Sequence, residues 1–156
     1  MQYHKQWIGK TILDWKDIEH YVEILAKKVR DTRFEFDKIA TVSRGGLVPA
    51  RLMADLFDIK KILVDKRNLP PGTLFVDDIY DSGKTFKNAI SDMTKSRNFL
   101  YATLVARKGR RYPKQLVYAR KTRGREYIVF PWEGMEYQRS CLMQSKTRTR
   151  RKPKNN

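Results

Sequence analysis

The stretch Thr73-Leu74-Phe75-Val76-Asp77-Asp78-Ile79-Tyr80-Asp81-Ser82-Gly83-Lys84-Thr85 limits what this chain can fold into more than any other. Four residues suited to a buried strand run straight into a pair of carboxylates. A third carboxylate follows, and a small hydroxyl-bearing loop then opens a segment where Phe86, Ala89, Ile90 and Met93 recur at helical spacing. A strand that feeds a helix through a short polar loop is the building unit of an α/β sheet, and in such sheets ligands lie beyond the carboxyl ends of the strands.

The same alternation runs along most of the chain. Asp14 is placed to cap a helix reaching to about Arg30, with Trp15, Ile18, Val22, Leu25 and Val29 on one face and Lys16, Glu19, Glu23 and Lys27 on the other. A short strand over residues 38–42 leads through Ser43-Arg44-Gly45-Gly46 into a helix over 47–57. There Leu47, Ala50, Ala54 and Leu56 are available to pack, and Pro49 sits in the first turn, where proline is tolerated. Strands are expected over 61–64, 73–76, 99–105, 115–118 and 127–130, with a turn at Pro70-Pro71-Gly72 and a helix over 83–95. The expected fold is α/β: a single domain on a mainly parallel, twisted, Rossmann-like sheet flanked by helices.

Charge divides the chain unevenly. Residues 1–106 hold 18 basic and 14 acidic side chains, whereas residues 107–156 hold 16 basic and 3 acidic ones, so the net +17 sits mostly in the last third and draws polyanions. From Gln144 onward there is no apolar residue. The folded domain is therefore expected over 1–143, and 144–156 is expected to be a basic, disordered tail suited to non-specific contact with nucleic acid. The single cysteine, Cys141, excludes an internal disulfide and a cysteine-built zinc site. No apolar run approaches a membrane span and the first ten residues lack the apolar stretch of a signal peptide, which makes a reducing cytoplasm the simplest location.

The chemistry follows from the central stretch. A helix start with free N–H groups, flanked by the Ser82 and Thr85 hydroxyls, is a ready phosphate site. Three aspartates beside it would repel a bare phosphate, so the ligand should also carry hydroxyl donors or a divalent cation. A phosphorylated sugar with a magnesium-bound pyrophosphate supplies both. Gly83-Lys84-Thr85 is not an ATP-binding P-loop, because Asp78 stands where that motif needs its first glycine. Upstream, Thr41-Val42-Ser43-Arg44-Gly45-Gly46-Leu47-Val48-Pro49-Ala50 sets an arginine and two glycines between strand and helix, suited to close backbone approach and forked binding of phosphate oxygens.

Together these segments resemble the type I phosphoribosyltransferases, whose signature binds phosphoribosyl pyrophosphate (PRPP), and among them the xanthine–guanine and hypoxanthine enzymes. The resemblance covers roughly residues 12–135. It implies that Asp77 and Asp78 address the ribose hydroxyls, directly or through Mg2+, and that Asp81, Ser82, Gly83, Lys84 and Thr85 hold the 5′-phosphate. Ser43, Arg44 and Gly45 would face the pyrophosphate, with Arg44 stabilising it as it leaves. Asp81 would either take a proton from the purine or brace its loop. Tyr127-Ile128-Val129-Phe130-Pro131-Trp132-Glu133 is similar to the end of a small base-binding region, with Phe130 and Trp132 as aromatic wall or, for Trp132, as a plug at the core edge. Arg107 or Lys108 would reach the purine 6-oxo group, the alignment favouring Arg107.

The reaction so implied is transfer of ribose 5-phosphate from PRPP to a 6-oxopurine (hypoxanthine, guanine or xanthine) with release of pyrophosphate, in a homo-oligomer, dimer or tetramer. One departure stands out. Residues 65–72, Asp-Lys-Arg-Asn-Leu-Pro-Pro-Gly, replace a long mobile lid with a short, proline-stiffened loop. That loop, the Arg120-Lys121-Thr122-Arg123-Gly124-Arg125 run and the tail motivate a rival: a PRPP-binding or nucleic-acid-binding regulator with the same fold and little turnover. A phosphoribosyltransferase for another base is a third reading.

Overall fold

A computed structural model describes residues 9–91 and 98–149. The elements, in chain order, are β1 (Lys10–Ile12), α1 (Trp15–Asp31), β2 (Lys38–Thr41), α2 (Leu47–Phe57), β3 (Ile62–Val64), β4 (Thr73–Tyr80), α3 (Lys84–Ser91), β5 (Leu100–Ala106), β6 (Leu116–Lys121), β7 (Tyr127–Val129), a 3-10 turn at Pro131–Glu133 and α4 (Gly134–Thr149). Five strands form an all-parallel sheet in the order β3-β2-β4-β5-β6. The connection after β2 runs toward one edge, while those after β4 and β5 run toward the other. Their loops part at the carboxyl ends of β2 and β4, which is where a parallel sheet opens a crevice.

Helix α1 starts where the sequence predicts. Asp14 Oδ1 accepts from Asp17 N and Asp17 Oδ2 accepts from Asp14 N, both at 2.9 Å, which ties off two donors the first turn leaves unpaired. Its buried face is Ile18, Tyr21, Val22, Leu25, Ala26 and Val29, packed with Ala50, Met53 and Ala54 of α2 against one face of the sheet. Each such aliphatic side chain contributes roughly 1.5–3 kcal/mol by leaving water. Trp15, expected on this face, is 52% exposed, and Leu47 and Leu56 of α2 are exposed too; Met53 takes their place in the core. The opposite face carries a second cluster in which Phe75 stacks on Tyr101 at 4.9 Å and Phe86 of α3 meets Tyr101 edge-on.

Several boundaries differ from those expected, each for a tertiary reason. Strand β4 does not stop at Val76 but carries Asp77 and Asp78 within it, because β5 pairs alongside as far as Tyr80↔Ala106. β6 likewise extends to Lys121 against Ala106. β7 leaves the main sheet and pairs in parallel with β1, a strand that three residues of sequence do not announce. Helix α4 runs on through residues 144–149, so the disordered tail does not begin at Gln144: a helix already started after the 3-10 turn continues through polar residues that carry no breaker. Residues 150–156 lie outside the described residues, as do 92–97, where the end of the expected 83–95 helix and Met93 fall. Among the described residues no helix is long and apolar enough to cross a membrane.

Candidate active site

The loop after β2 and the loop after β4 face each other across a cavity of about 290 Å3, lined by Val42, Gly45, residues 77–86 and Tyr101. The structure thus brings Gly45, Asp77, Asp78, Asp81, Ser82, Gly83, Lys84 and Thr85 together, as the sequence implied. Two glycines make the approach feasible. A Cβ on Gly45 would collide with the Asp78 carboxylate, and one on Gly46 would collide with the Thr41 hydroxyl and come within 3.1 Å of Asp77 Oδ1. The Ser43–Arg44 peptide at the head of this loop is cis.

The carboxylates are held by short-range bonds. Asp77 is buried; its Oδ1 accepts from Asp78 N at 2.9 Å and its Oδ2 from the Tyr101 hydroxyl at 2.9 Å. Asp78, half-buried, accepts at Oδ1 from Ile79 N at 2.7 Å. Burial raises the pKa of Asp77, and burial together with the neighbouring Asp77 charge pushes Asp78 up to about 8. Burial and the Asp77 carboxylate push the Tyr101 phenol up as well, so it stays a donor. Glu133 is raised by burial first and by the Asp78 and Glu136 charges next. The site is short of positive charge in this state.

The loop between β4 and α3 has the form its sequence suggests. Gly83 adopts φ +80°, a conformation side chains avoid, and a Cβ there would press on the Tyr80 hydroxyl at 2.7 Å. Ser82 Oγ accepts from Lys84 N at 3.3 Å and Lys87 N donates to Gly83 O at 2.9 Å, so the first turn of α3 closes directly behind the loop.

The cations are distributed differently. Arg44 is 82% exposed and reaches Glu136 Oε1 of α4 at 3.3 Å. Ser43 does not turn its hydroxyl to the crevice but gives it to Asp65, whose Oδ1 also accepts from Ser43 N at 2.8 Å; those bonds lower the Asp65 pKa. Residues 65–72 therefore brace the loop after β2, and Leu69, 2% exposed, pins the segment into the core. It anchors that loop from below.

At the end of β5 the ambiguity between two basic residues resolves. Arg107 is buried, its Nη1 donating to Glu126 O at 2.5 Å and its Nε lying 3.6 Å from Asp81 Oδ1, while Lys108 is exposed and offers only its backbone N–H, to Thr122 Oγ1. Arg110 Nη2 stands 3.5 Å from the same Asp81 oxygen. Asp81 thus braces the loop after β5 as well as lining the cavity. Phe130 is not an exposed wall: it is 2% exposed, with Trp132 stacked on it at 4.8 Å and 12°, because the residue between β7 and the 3-10 turn points into the core. Trp132 also meets Trp15 at 6.1 Å and packs on the core cluster, so it closes the core edge beside the crevice without lining it; its buried Nε1 has no hydrogen-bond partner among the described residues. Residues that sequence pattern does not single out are Tyr101, Arg110 and Asp65. Only the strand register could have found Tyr101, which lies on β5 within reach of Asp77.

Among solved structures, the chain is similar to a purine phosphoribosyltransferase from Pyrococcus horikoshii, at 26% identity and a TM-score of 0.65 over 79% of this chain and 93% of that one. It is similar also to a Helicobacter pylori xanthine-guanine-hypoxanthine phosphoribosyltransferase, at 17% identity and 0.68, over 85% and 99%. A Neisseria gonorrhoeae protein with bound ppGpp matches at 20% identity and 0.65, over 84% and 93%. No family model matches the sequence, and no curated protein matches it.

Proposed function

On a chain with the type I phosphoribosyltransferase fold, we propose a 6-oxopurine phosphoribosyltransferase, which moves ribose 5-phosphate from PRPP to hypoxanthine, guanine or xanthine and releases pyrophosphate. The observation that carries it is the facing of two loops. Asp77 and Asp78 at the end of β4 meet the Gly45-Gly46 backbone on one side and the phosphate loop before α3 on the other, across one cavity. In this reading, Ser82, Gly83, Lys84 and Thr85 hold the 5′-phosphate, the two aspartates accept from the ribose hydroxyls, and Arg44 swings from Glu136 to the pyrophosphate.

The bond from the anomeric carbon to the pyrophosphate oxygen breaks as the bond to a purine nitrogen forms, and the bonding pair leaves with pyrophosphate. The purine gives up its N–H proton to Asp81 or to water. Arg44 and the loop N–H groups meet the charge that grows on the leaving group. In this reading Arg107, held by Asp81 and the Glu126 carbonyl, would turn to the edge of the base, with Trp132 behind it.

The donor set fits Mg2+ brought in on the pyrophosphate. Two hard carboxylates sit side by side, with burial and then the Asp77 charge pushing Asp78 up to about 8, and a cation there would favour the ionised pair. Among the described residues no three acidic, imidazole or thiol groups come together to hold an ion alone, so Asp77 and Asp78 would share it with substrate oxygens. Its chemistry there would be neutralisation of pyrophosphate charge.

The test is pyrophosphate release from PRPP and Mg2+ across hypoxanthine, guanine, xanthine, adenine and orotate. Turnover confined to the first three is expected. Preference for adenine or orotate would overturn the choice of base, and release equal to an enzyme-free blank with every base would overturn the enzyme.

A further inference from the structure

Strand β6 ends the sheet, and α1 packs on only one of its faces. Val117 and Ala119 join the α1 cluster, while Leu116 and Tyr118 turn to the other side, where Tyr112 meets Tyr118 at 5.3 Å and 52°. Both rings are part-exposed. Lys121 Nζ lies over both, at 5.2 and 5.8 Å, and Lys28 Nζ lies over Tyr118 at 5.0 Å. The chain from 107 to 125 holds nine Lys and Arg and no acidic residue; of these, Arg107 and Arg110 pair with Asp81 and Arg120 reaches Tyr21 of α1, which leaves six beside Lys28. We propose that this face, the Tyr112–Tyr118 pair with Lys121 and its cationic surround, binds single-stranded nucleic acid. The proposal is independent of the transfer reaction.

Three observations select that occupant. A second copy docking by a two-fold axis would set this patch's exposed lysines and arginines against their own copies, which repels. Another strand adding to the β6 edge is blocked in part by Lys28, whose Nζ donates to Tyr118 O at 2.8 Å, and by the charges along the edge. A single strand offers what the face lacks: phosphates for the cations and flat bases for the rings. An ammonium over an exposed ring is held by about 0.5–1 kcal/mol. Base stacking on an aromatic side chain contributes about 1–3 kcal/mol. A base therefore displaces the ammonium, which is then free to meet the adjoining phosphate.

The test uses the full chain and a fluorescein-labelled 15-nucleotide polyuridylate, with anisotropy read between 50 and 200 mM KCl. Binding should weaken with salt with a log–log slope of about −3 to −4, from four to six phosphate contacts on a single strand. Tyr118→Ala should weaken binding roughly 10-fold with little change of slope, and Tyr118→Phe should restore it. Lys121→Glu with Arg123→Glu, both exposed, should flatten the slope by about 1.4. Phosphoribosyl transfer should be unchanged in all of these. Unaltered binding in Tyr118→Ala and in the double variant would place the contact elsewhere, residues 144–156 included, and overturn the proposal. Polyglutamate competing as well as RNA of equal charge would overturn it in favour of an acidic protein.

Discussion

The two loops that face each other across the crevice are built on contrary plans. The end of β4 is acidic, largely buried and fixed by hydrogen bonds from Asp78 N, Ile79 N and the Tyr101 hydroxyl. The loop after β2 is anchored through Ser43 and Asp65, yet its one cation, Arg44, stands in solvent with an exposed ion pair to Glu136. Surface pairs of that kind contribute about 0–1 kcal/mol. The acids are positioned in advance at a cost in stability, whereas the cation is left for the ligand to recruit. That division suits a site whose substrate brings more negative charge than any other group in the reaction.

The contrast is most exposed to failure at Asp78. Asp78→Asn should lower kcat/KM for PRPP roughly 10²-fold or more, and it should stabilise the protein at pH 8. A carboxyl whose folded pKa is about 8 against its ordinary 3.8 keeps its proton more firmly when folded. The stability it confers at low pH is lost as pH climbs through that interval. The wild-type melting temperature should therefore fall from about pH 4 to pH 8, and Asp78→Asn should flatten the fall by about 1 kcal/mol, discounted for partial exposure. A steeper fall in the variant would show that the acids do not carry the cost.

Arg44→Ala should reduce kcat/KM roughly 10- to 100-fold while moving stability by less than about 0.5 kcal/mol. Unfolding midpoints in urea give the second number, and a loss of several kcal/mol would remove the contrast between the loops. Tyr101→Phe leaves a buried carboxylate oxygen short of a donor, so a loss of about 1–3 kcal/mol is expected, with a several-fold drop in kcat. Full activity and full stability in that variant would take the phenol out of the site. The smallest effect belongs to Glu136→Gln: freeing Arg44 should lower KM for PRPP by about twofold, in keeping with a surface pair. A raised KM would mean that Glu136 helps to hold the ligand.

The β4 stretch was legible because its steps are local: apolar strand, acids, hydroxyl loop and helix follow one another within thirteen residues. The Ser43-to-Gly46 loop was legible too, as was the cap at Asp14. Ser43, however, spends its hydroxyl on Asp65, and Phe130 spends its ring on the core, outcomes that depend on neighbours distant in sequence. Arg107 and Lys108 could not be separated by pattern, since adjacent basic residues at a strand end differ only in which one the twist of the sheet turns inward.

From its residues alone, the chain determined a parallel α/β sheet and the acids and hydroxyl-bearing loop at one strand end, because periodicity and loop chemistry act over a few residues at a time. Folding in three dimensions decided the rest. It paired β1 with a strand more than a hundred residues away, carried β4 past its acids, set Tyr101 under Asp77 and left Tyr118 of β6 part-exposed beside Tyr112. Each of these rests on register and packing between distant segments, which no local window of sequence contains.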